Sequence, residues 1–375
     1  MAQPDHSTLR PKECSLPSRS RLAALVLALL AGGGISACGA SSSASTAASS
    51  TTASPPVTRS AASSAATPTG AQSSASKVTT DVSYAATVGR AHLMDIYVPT
   101  SGSGPFPVIM YQAGSAFMSD DTKSPGSGPP GMGGGTTAQS LAQWWAAKGY
   151  VIVGYNTRSS SEATFPAQLH DVKAAIRFLR ANASDYRIDP KHIGIIGTSS
   201  GSWTAAMAGV TGDVPSLEGN LGNQSQSSAV QAVADLFGPT DFLTMDRQRI
   251  SGGQQHDPAS SPESRLIGCA LQTCKAKARA ASPVTYVTRN DPPFYISHGK
   301  NDPLVPSRQS NELFQKIAEV CGDARLTIVP GYGHTDEYLS AASKSSGRRV
   351  STTRNCRTLT GTTPAPTYAT LLAFF

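Results

Sequence analysis

The sequence predicts an α/β fold: a mostly parallel sheet with helices on both faces and a small insertion near residues 241–285. Three observations carry that prediction. Short apolar, β-branched runs recur from about residue 107 onward, such as Pro107 to Tyr111 and Tyr150 to Tyr155. Segments with apolar residues at helical spacing separate them, most clearly Pro166 to Ala183 with Leu169, Val172, Ile176 and Leu179. Small-residue loops, rich in Gly, Ser and Pro, follow the strand-like runs. Strands alternating with helices imply parallel pairing, because each crossover must return along one face of the sheet.

The folded part is expected over residues 79–375. Asp81 to Val88 and Leu93 to Val98 read as two hairpin-like strands with Gly89 and Arg90 between them, forming an antiparallel edge. Pro107 to Tyr111 is a buried strand running into Gln112-Ala113-Gly114-Ser115-Ala116-Phe117, and the Gly- and Pro-dense residues 124–135 read as a surface loop. Ala138 to Lys148 is a helix ended by Gly149; Tyr150 to Tyr155 is a strand; Pro166 to Ala183 is a helix with one apolar stripe. Ile193 to Ile196 is a strand that ends in Gly197-Thr198-Ser199-Ser200-Gly201, and an Ala-rich helix follows at once. Val230 to Phe237 is a strand, 241–285 shows no clear period, and Pro293 to Ser297, Ser307 to Val320 and Arg325 to Val329 read strand, helix, strand. Thr367 to Phe375 closes the chain as a helix.

The first 78 residues differ in kind. Arg10, Lys12, Arg19 and Arg21 precede the apolar run Leu22 to Leu30, then small residues up to Cys38. That order describes an export signal. Its apolar core is shorter than the roughly 20 residues of a membrane span. Ile35-Ser36-Ala37-Cys38 resembles a bacterial lipobox, which implies cleavage before Cys38, a lipid on its thiol and a protein tethered to a membrane on its extracytoplasmic side. Residues 38–78, dominated by Ser, Ala and Thr, have too little apolar surface to offset the entropy of ordering and read as a disordered tether.

Net charge is +7, but residues 1–37 carry four basic and two acidic residues, so about +5 remains without them. Much of the excess lies in Lys344, Arg348, Arg349, Arg354 and Arg357, read as a solvated tail in preference to an anion-binding surface; no nucleic-acid module is indicated. Cys269, Cys274, Cys321 and Cys356 are an even set in an exported chain. They allow three pairings, of which Cys269–Cys274 and Cys321–Cys356 are favoured. Their spacing suits no zinc site, and neither metal nor cofactor is expected.

Strand, G-x-S-x-G, then helix is the setting that lifts a serine hydroxyl clear of its backbone. A serine needs a base to take its proton, and the base needs an orienting carboxylate. Asp302 lies on the loop after the strand ending at Ser297, and His334 lies in Pro330-Gly331-Tyr332-Gly333-His334 after the next strand. Ligand sites of open α/β sheets lie outside such strand ends, so the three loops can converge. Weighed against this, Ser199 reads as a helix N-cap, Asp302 as a turn initiator before proline, and Asp241 as a rival acid. His192 and His298 are expected to pack or cap at strand ends.

With those residues in hand, the chain resembles α/β-hydrolases of the esterase/lipase group, particularly bacterial domains labelled feruloyl-esterase-like. Phe165-Pro166-Ala167-Gln168 with Asp171 and Ile176, Ile188-Asp189-Pro190-Lys191-His192-Ile193-Gly194, the serine turn, Ala281-Ser282-Pro283-Val284-Thr285-Tyr286 with Asp291-Pro292-Pro293, and the Asp302 and His334 loops carry the likeness. It spans roughly residues 79–340 and implies hydrolysis of carboxylic esters through an acyl-enzyme: small acyl or aryl esters, including feruloyl or acetyl esters of polysaccharides. Ser199 is then the nucleophile, His334 the base and Asp302 the acid, with the backbone N–H groups of Ser200 and of Ser115 or Gly114 as oxyanion donors. Two departures stand out. Ala113 to Phe117 replaces the family's His-Gly-Gly loop, and Ser200-Gly201-Ser202 replaces Ala-Gly-Gly. The same fold also serves serine peptidases of the prolyl-oligopeptidase type, and non-catalytic binding proteins.

Overall fold

The computed structural model describes residues 74–86, 89–123, 135–339, 348–363 and 366–375. The export signal, Cys38, nearly all of the Ser/Ala/Thr tract, the loop at 124–134 and Lys344 lie outside the described residues. Ten strands form one sheet: β1 (Ser76–Ser83), β2 (Leu93–Pro99), β3 (Phe106–Gln112), β4 (Val151–Tyr155), β5 (Ile188–Thr198), β6 (Ala232–Leu236), β7 (Phe294–Gly299), β8 (Ala324–Val329), β9 (Arg348–Arg354) and β10 (Arg357–Thr363). The helices are α1 (Ala138–Trp145), α2 (Ala167–Ala181), α3 (Ser200–Val210), α4 (Met245–Gln248), α5 (Pro262–Ile267), α6 (Lys275–Ala280), α7 (Arg308–Glu319) and α8 (Tyr368–Leu372).

Strand order is β1-β2-β4-β3-β5-β6-β7-β8-β9-β10. The six from β4 to β8 are parallel, and antiparallel pairs flank them at both ends. Period-two alternation sorts each parallel strand between two cores. Val108 and Met110 of β3 face one core with α2, α3 and α7; Ile109 and Tyr111 face the other with α1 and α8. Both faces are therefore covered, and the parallel strands are apolar on both sides.

Three details differ from the sequence reading. The first strand starts at Ser76 and ends at Ser83, so it begins inside the segment read as tether. The basic stretch read as a solvated tail instead forms the β9–β10 hairpin, which pairs with β8. Residues 241–285 hold three short helices, α4 to α6, that pack Phe242, Met245, Leu266, Ile267 and Leu271 onto the α3 side of the core. Both disulfides, Cys269–Cys274 and Cys321–Cys356, pair as favoured from the sequence.

The sheet is so wound that β4 lies on one side of β3 and β5 on the other. The connection out of β3 runs through α1 on one face; the one out of β5 runs through α3 on the opposite face. Their divergence opens a crevice at the carboxyl ends of these two strands.

Candidate active site

Ser199 sits at that crevice, between β5 and α3, with φ 54° and ψ −123°. A non-glycine residue held there is strained, and its neighbours over-determine it. A Cβ on Gly197 would lie 2.2 Å from the Gly201 carbonyl carbon, and one on Gly201 would lie 2.2 Å from the Gln112 carbonyl oxygen. Both motif glycines are thus required by close backbone approach, one within the turn and one against the end of β3. The Ser199 hydroxyl makes no capping bond to α3, which removes the N-cap reading. Its Oγ lies 2.8 Å from His334 Nε2 instead.

The imidazole is held from behind by Asp302, whose Oδ2 is 2.7 Å from His334 Nδ1. Phe237, at the end of β6, packs its ring edgewise on His334 at 4.8 Å. Asp302 is almost fully buried, and every acceptor position on it is used: the N–H groups of Leu304 and Val305 donate to Oδ1 at 2.8 and 2.9 Å. A second histidine was not assigned to it from the sequence. His298 Nε2 lies 3.0 Å from Asp302 Oδ2 and 2.9 Å from the Val305 carbonyl oxygen. Both partners are acceptors, so Nε2 carries the hydrogen, while Nδ1 meets the Ser310 hydroxyl at 2.7 Å. Burial alone would raise the Asp302 pKa; the hydrogen bonds from His298 and His334 outweigh it and hold the carboxyl well below the usual carboxylate range. The four-residue spacing from His298 to Asp302 was the available signal, since a turn after a strand folds such a pair together.

The other candidates lie elsewhere. Asp241 lies on the loop after β6 beside Glu312 of α7, and burial with that like charge raises its pKa to about 6. His192 is exposed and pairs with Asp189. Trp203 is buried beneath the turn and donates its indole N–H to the Ala281 carbonyl oxygen at 2.7 Å.

The loop after β3 corrects the expected set of oxyanion donors. Gly114 presses so closely on the turn that a Cβ there would lie 2.6 Å from Ser199 Cβ, and its N–H donates to Thr198 Oγ1 at 3.0 Å. The Ser115 N–H donates to Ser200 Oγ at 2.8 Å. Both loop amides read as donors are therefore already bonded to hydroxyls of the residues flanking Ser199. The Ser200 N–H, at the first position of α3, and the Ala116 N–H have no acceptor among the described residues. Ser115 does not need positive φ; Ala116 at 51° and Phe117 at 61° take that conformation. A narrow pocket over Ser199 is lined by Ala116, Phe117, Ser200, Glu263, Leu304 and His334 among others, so the 241–285 insertion supplies one of its walls.

A mixed sheet with a parallel centre, a strained serine turn after β5, and a histidine and an aspartate from the loops after β8 and β7 define an α/β-hydrolase fold. Solved structures agree. A "truncated form of carbohydrate esterase from gut microbiota" matches with 36% identity and a TM-score of 0.63, covering 70% of this chain and 91% of that one. A "bifunctional GH43-CE" from Bacteroides eggerthii matches with 35% identity and a TM-score of 0.60, covering 68% of this chain and 35% of that one. Residues 94–317 match the BD-FAE family model, and the chain belongs to that family. In Mycobacterium tuberculosis, "Esterase LipQ" is 31% identical over 235 residues, which is 62% of this chain and 51% of that protein. "Probable carboxylic ester hydrolase LipM" is 28% identical over 243 residues, 64% and 52% of the two chains. The chain spans about half the length of these curated relatives.

Proposed function

We propose that the protein is a serine-dependent carboxylic ester hydrolase. The observation that carries this reading is the continuous relay from Ser199 Oγ to His334 Nε2 at 2.8 Å and from His334 Nδ1 to Asp302 at 2.7 Å. Ser199 attacks the ester carbonyl while His334 takes its proton; His334 returns that proton to the leaving alcohol. Asp302 orients the ring and offsets the charge that the imidazolium acquires. A water, activated by the same imidazole, then cleaves the acyl-enzyme.

The substrate is read as a small acyl group on a polyhydroxylated alcohol, such as an acetylated saccharide, in preference to a feruloylated one. The pocket over Ser199 is narrow, which suits a short acyl chain. An open groove of about 600 Å³ runs past Met118 and Ser264, chain neighbours of the pocket residues Phe117 and Glu263, and Ser160, Ser161 and Thr164 add hydroxyls to it. The similarity to a solved carbohydrate esterase supports the same reading.

The full chain assayed with aryl acetates, an acetylated xylo-oligosaccharide and a feruloyl ester should turn over the first two. Ser199→Ala should abolish turnover, a loss of at least about 10³-fold; ester turnover that survives it overturns the nucleophile. The lipobox supports export and lipid tethering through Cys38. Cys38→Ser should shift the protein from the membrane to the soluble fraction on cell fractionation, and unchanged membrane association would exclude the lipid anchor.

A further inference from the structure

We propose that the side-chain hydroxyl of Ser200 is itself an oxyanion donor and relays the Ser115 N–H to the developing charge. This rests on the esterase reading above and concerns how its oxyanion hole is built. Two observations lead to it. The residues on either side of the nucleophile, Thr198 and Ser200, each accept one N–H from the loop after β3, at 3.0 and 2.8 Å. That loop is the part of the chain that would otherwise present its amides to the substrate oxygen.

A serine hydroxyl has one hydrogen to donate and two lone pairs to accept with. Ser200 Oγ uses one lone pair on the Ser115 N–H, and none of the described residues accepts its own hydrogen. Ser200 lines the pocket beside Ser199 and Ala116 and is 5% exposed, so water does not compete freely for that hydrogen. A hydroxyl that already accepts a hydrogen bond is polarised into a better donor. When Ser199 attacks, the carbonyl π pair moves onto oxygen; the Ser200 hydroxyl then donates to that oxygen together with the free N–H groups of Ser200 and Ala116. No proton changes owner in this contact. The hydroxyl keeps its hydrogen when the tetrahedral intermediate collapses and the alcohol leaves with the proton from His334.

The hydrogen bond from the Ser115 N–H to Ser200 Oγ ties the loop after β3 to the residue that follows Ser199. The loop amide is thus occupied in anchoring, and the Ser200 hydroxyl stands in for it.

The test is Ser200→Ala, measured as kcat and KM on an aryl acetate and as the Ki of an aryl boronic acid, which mimics the tetrahedral intermediate. Rates are expressed per active site titrated with a phosphonate, so misfolded protein does not count. The expected result is a fall in kcat of roughly 10²-fold with KM little changed, and boronate affinity weakened in proportion to kcat/KM. An unchanged or raised kcat overturns the proposal, because alanine frees the Ser115 N–H to bind the oxyanion directly. A matched loss of kcat with boronate affinity intact also overturns it, since the hydroxyl would then only brace the loop. If the wild-type chain hydrolyses no ester, the esterase reading itself fails; if it does and only these outcomes appear, the relay alone fails.

Discussion

At the scale of single residues, the acid of the proposed triad is more elaborate than a lone carboxylate orienting a base. Asp302 Oδ2 is shared by two imidazoles, and His298 reaches it from a position buried among Phe237, Ser310 and Val305. His298 is a positioning residue: it touches no reacting atom, but it fixes the oxygen against which His334 is aligned. His298→Leu removes one donor from a buried charge, which costs more than an exposed bond would. A fall in kcat of about tenfold with nearly constant KM is expected. His298→Gln, whose amide N–H can reach both Asp302 and the Val305 carbonyl, should recover most of it. Steady-state kinetics on both variants checks this, and equal rates for the leucine variant and wild type would remove His298 from the account. The hydrogen-bonded set Ser199, Asp302 and His334 was legible in the sequence because each follows a strand in a recognisable loop. The second histidine was read only as a packing residue, because nothing in a four-residue interval states which way a ring points.

Among the elements, strands β2, β3, β4, β6, β7 and β8 and the helices α1, α2 and α7 lie within a few residues of their sequence-based limits, because their apolar pattern is sustained over the whole element, whereas β1 and β5 begin about five residues earlier than read. The insertion helices α4 to α6 have four to six residues each, too few to repeat an apolar stripe. The β9–β10 hairpin was missed for a different reason. Its turn, Asn355-Cys356, has φ of 48° and 62°, the pattern of a two-residue turn usually signalled by glycine at the second position. Here a cysteine stands in that position and is bonded to Cys321, so the disulfide accompanies a conformation that composition would not suggest. At the junction of the loop after β6 with α7, Asp241 is a half-buried carboxylate beside a like charge, Glu312. Burial and Glu312 raise its pKa from 3.8 to about 6. Between those values the folded state binds more protons than the unfolded one, so this group lowers stability as pH rises from about 4 to 6. Asp241→Asn should therefore stabilise the protein at pH 7 by about 1 kcal/mol, discounted for partial exposure, and have no effect near pH 4. Thermal melts of both proteins at the two pH values test this; a stabilisation equal at both would point to something other than its charge.

At the scale of the whole molecule, winding order creates the site. Because β4 and β5 flank β3 and their crossovers leave on opposite faces, the ends of β3 and β5 are left uncovered, and the loops after β7 and β8 bring Asp302 and His334 to the same edge. The strand–helix alternation, the class of fold, the serine turn, and the loops that carry Ser199, Asp302 and His334 were all determined by the sequence alone, since each is written in a local pattern of a dozen residues or fewer. Which backbone N–H groups stay free was decided only by tertiary structure. Gly114 and Ser115 lie more than eighty residues from the hydroxyls of Thr198 and Ser200 that bind them, and only the packing of the β3 loop against the turn after β5 brings donor and acceptor to within 3 Å. Hydrogen bonds of that length depend on positions set by the assembled sheet, and no local pattern encodes them.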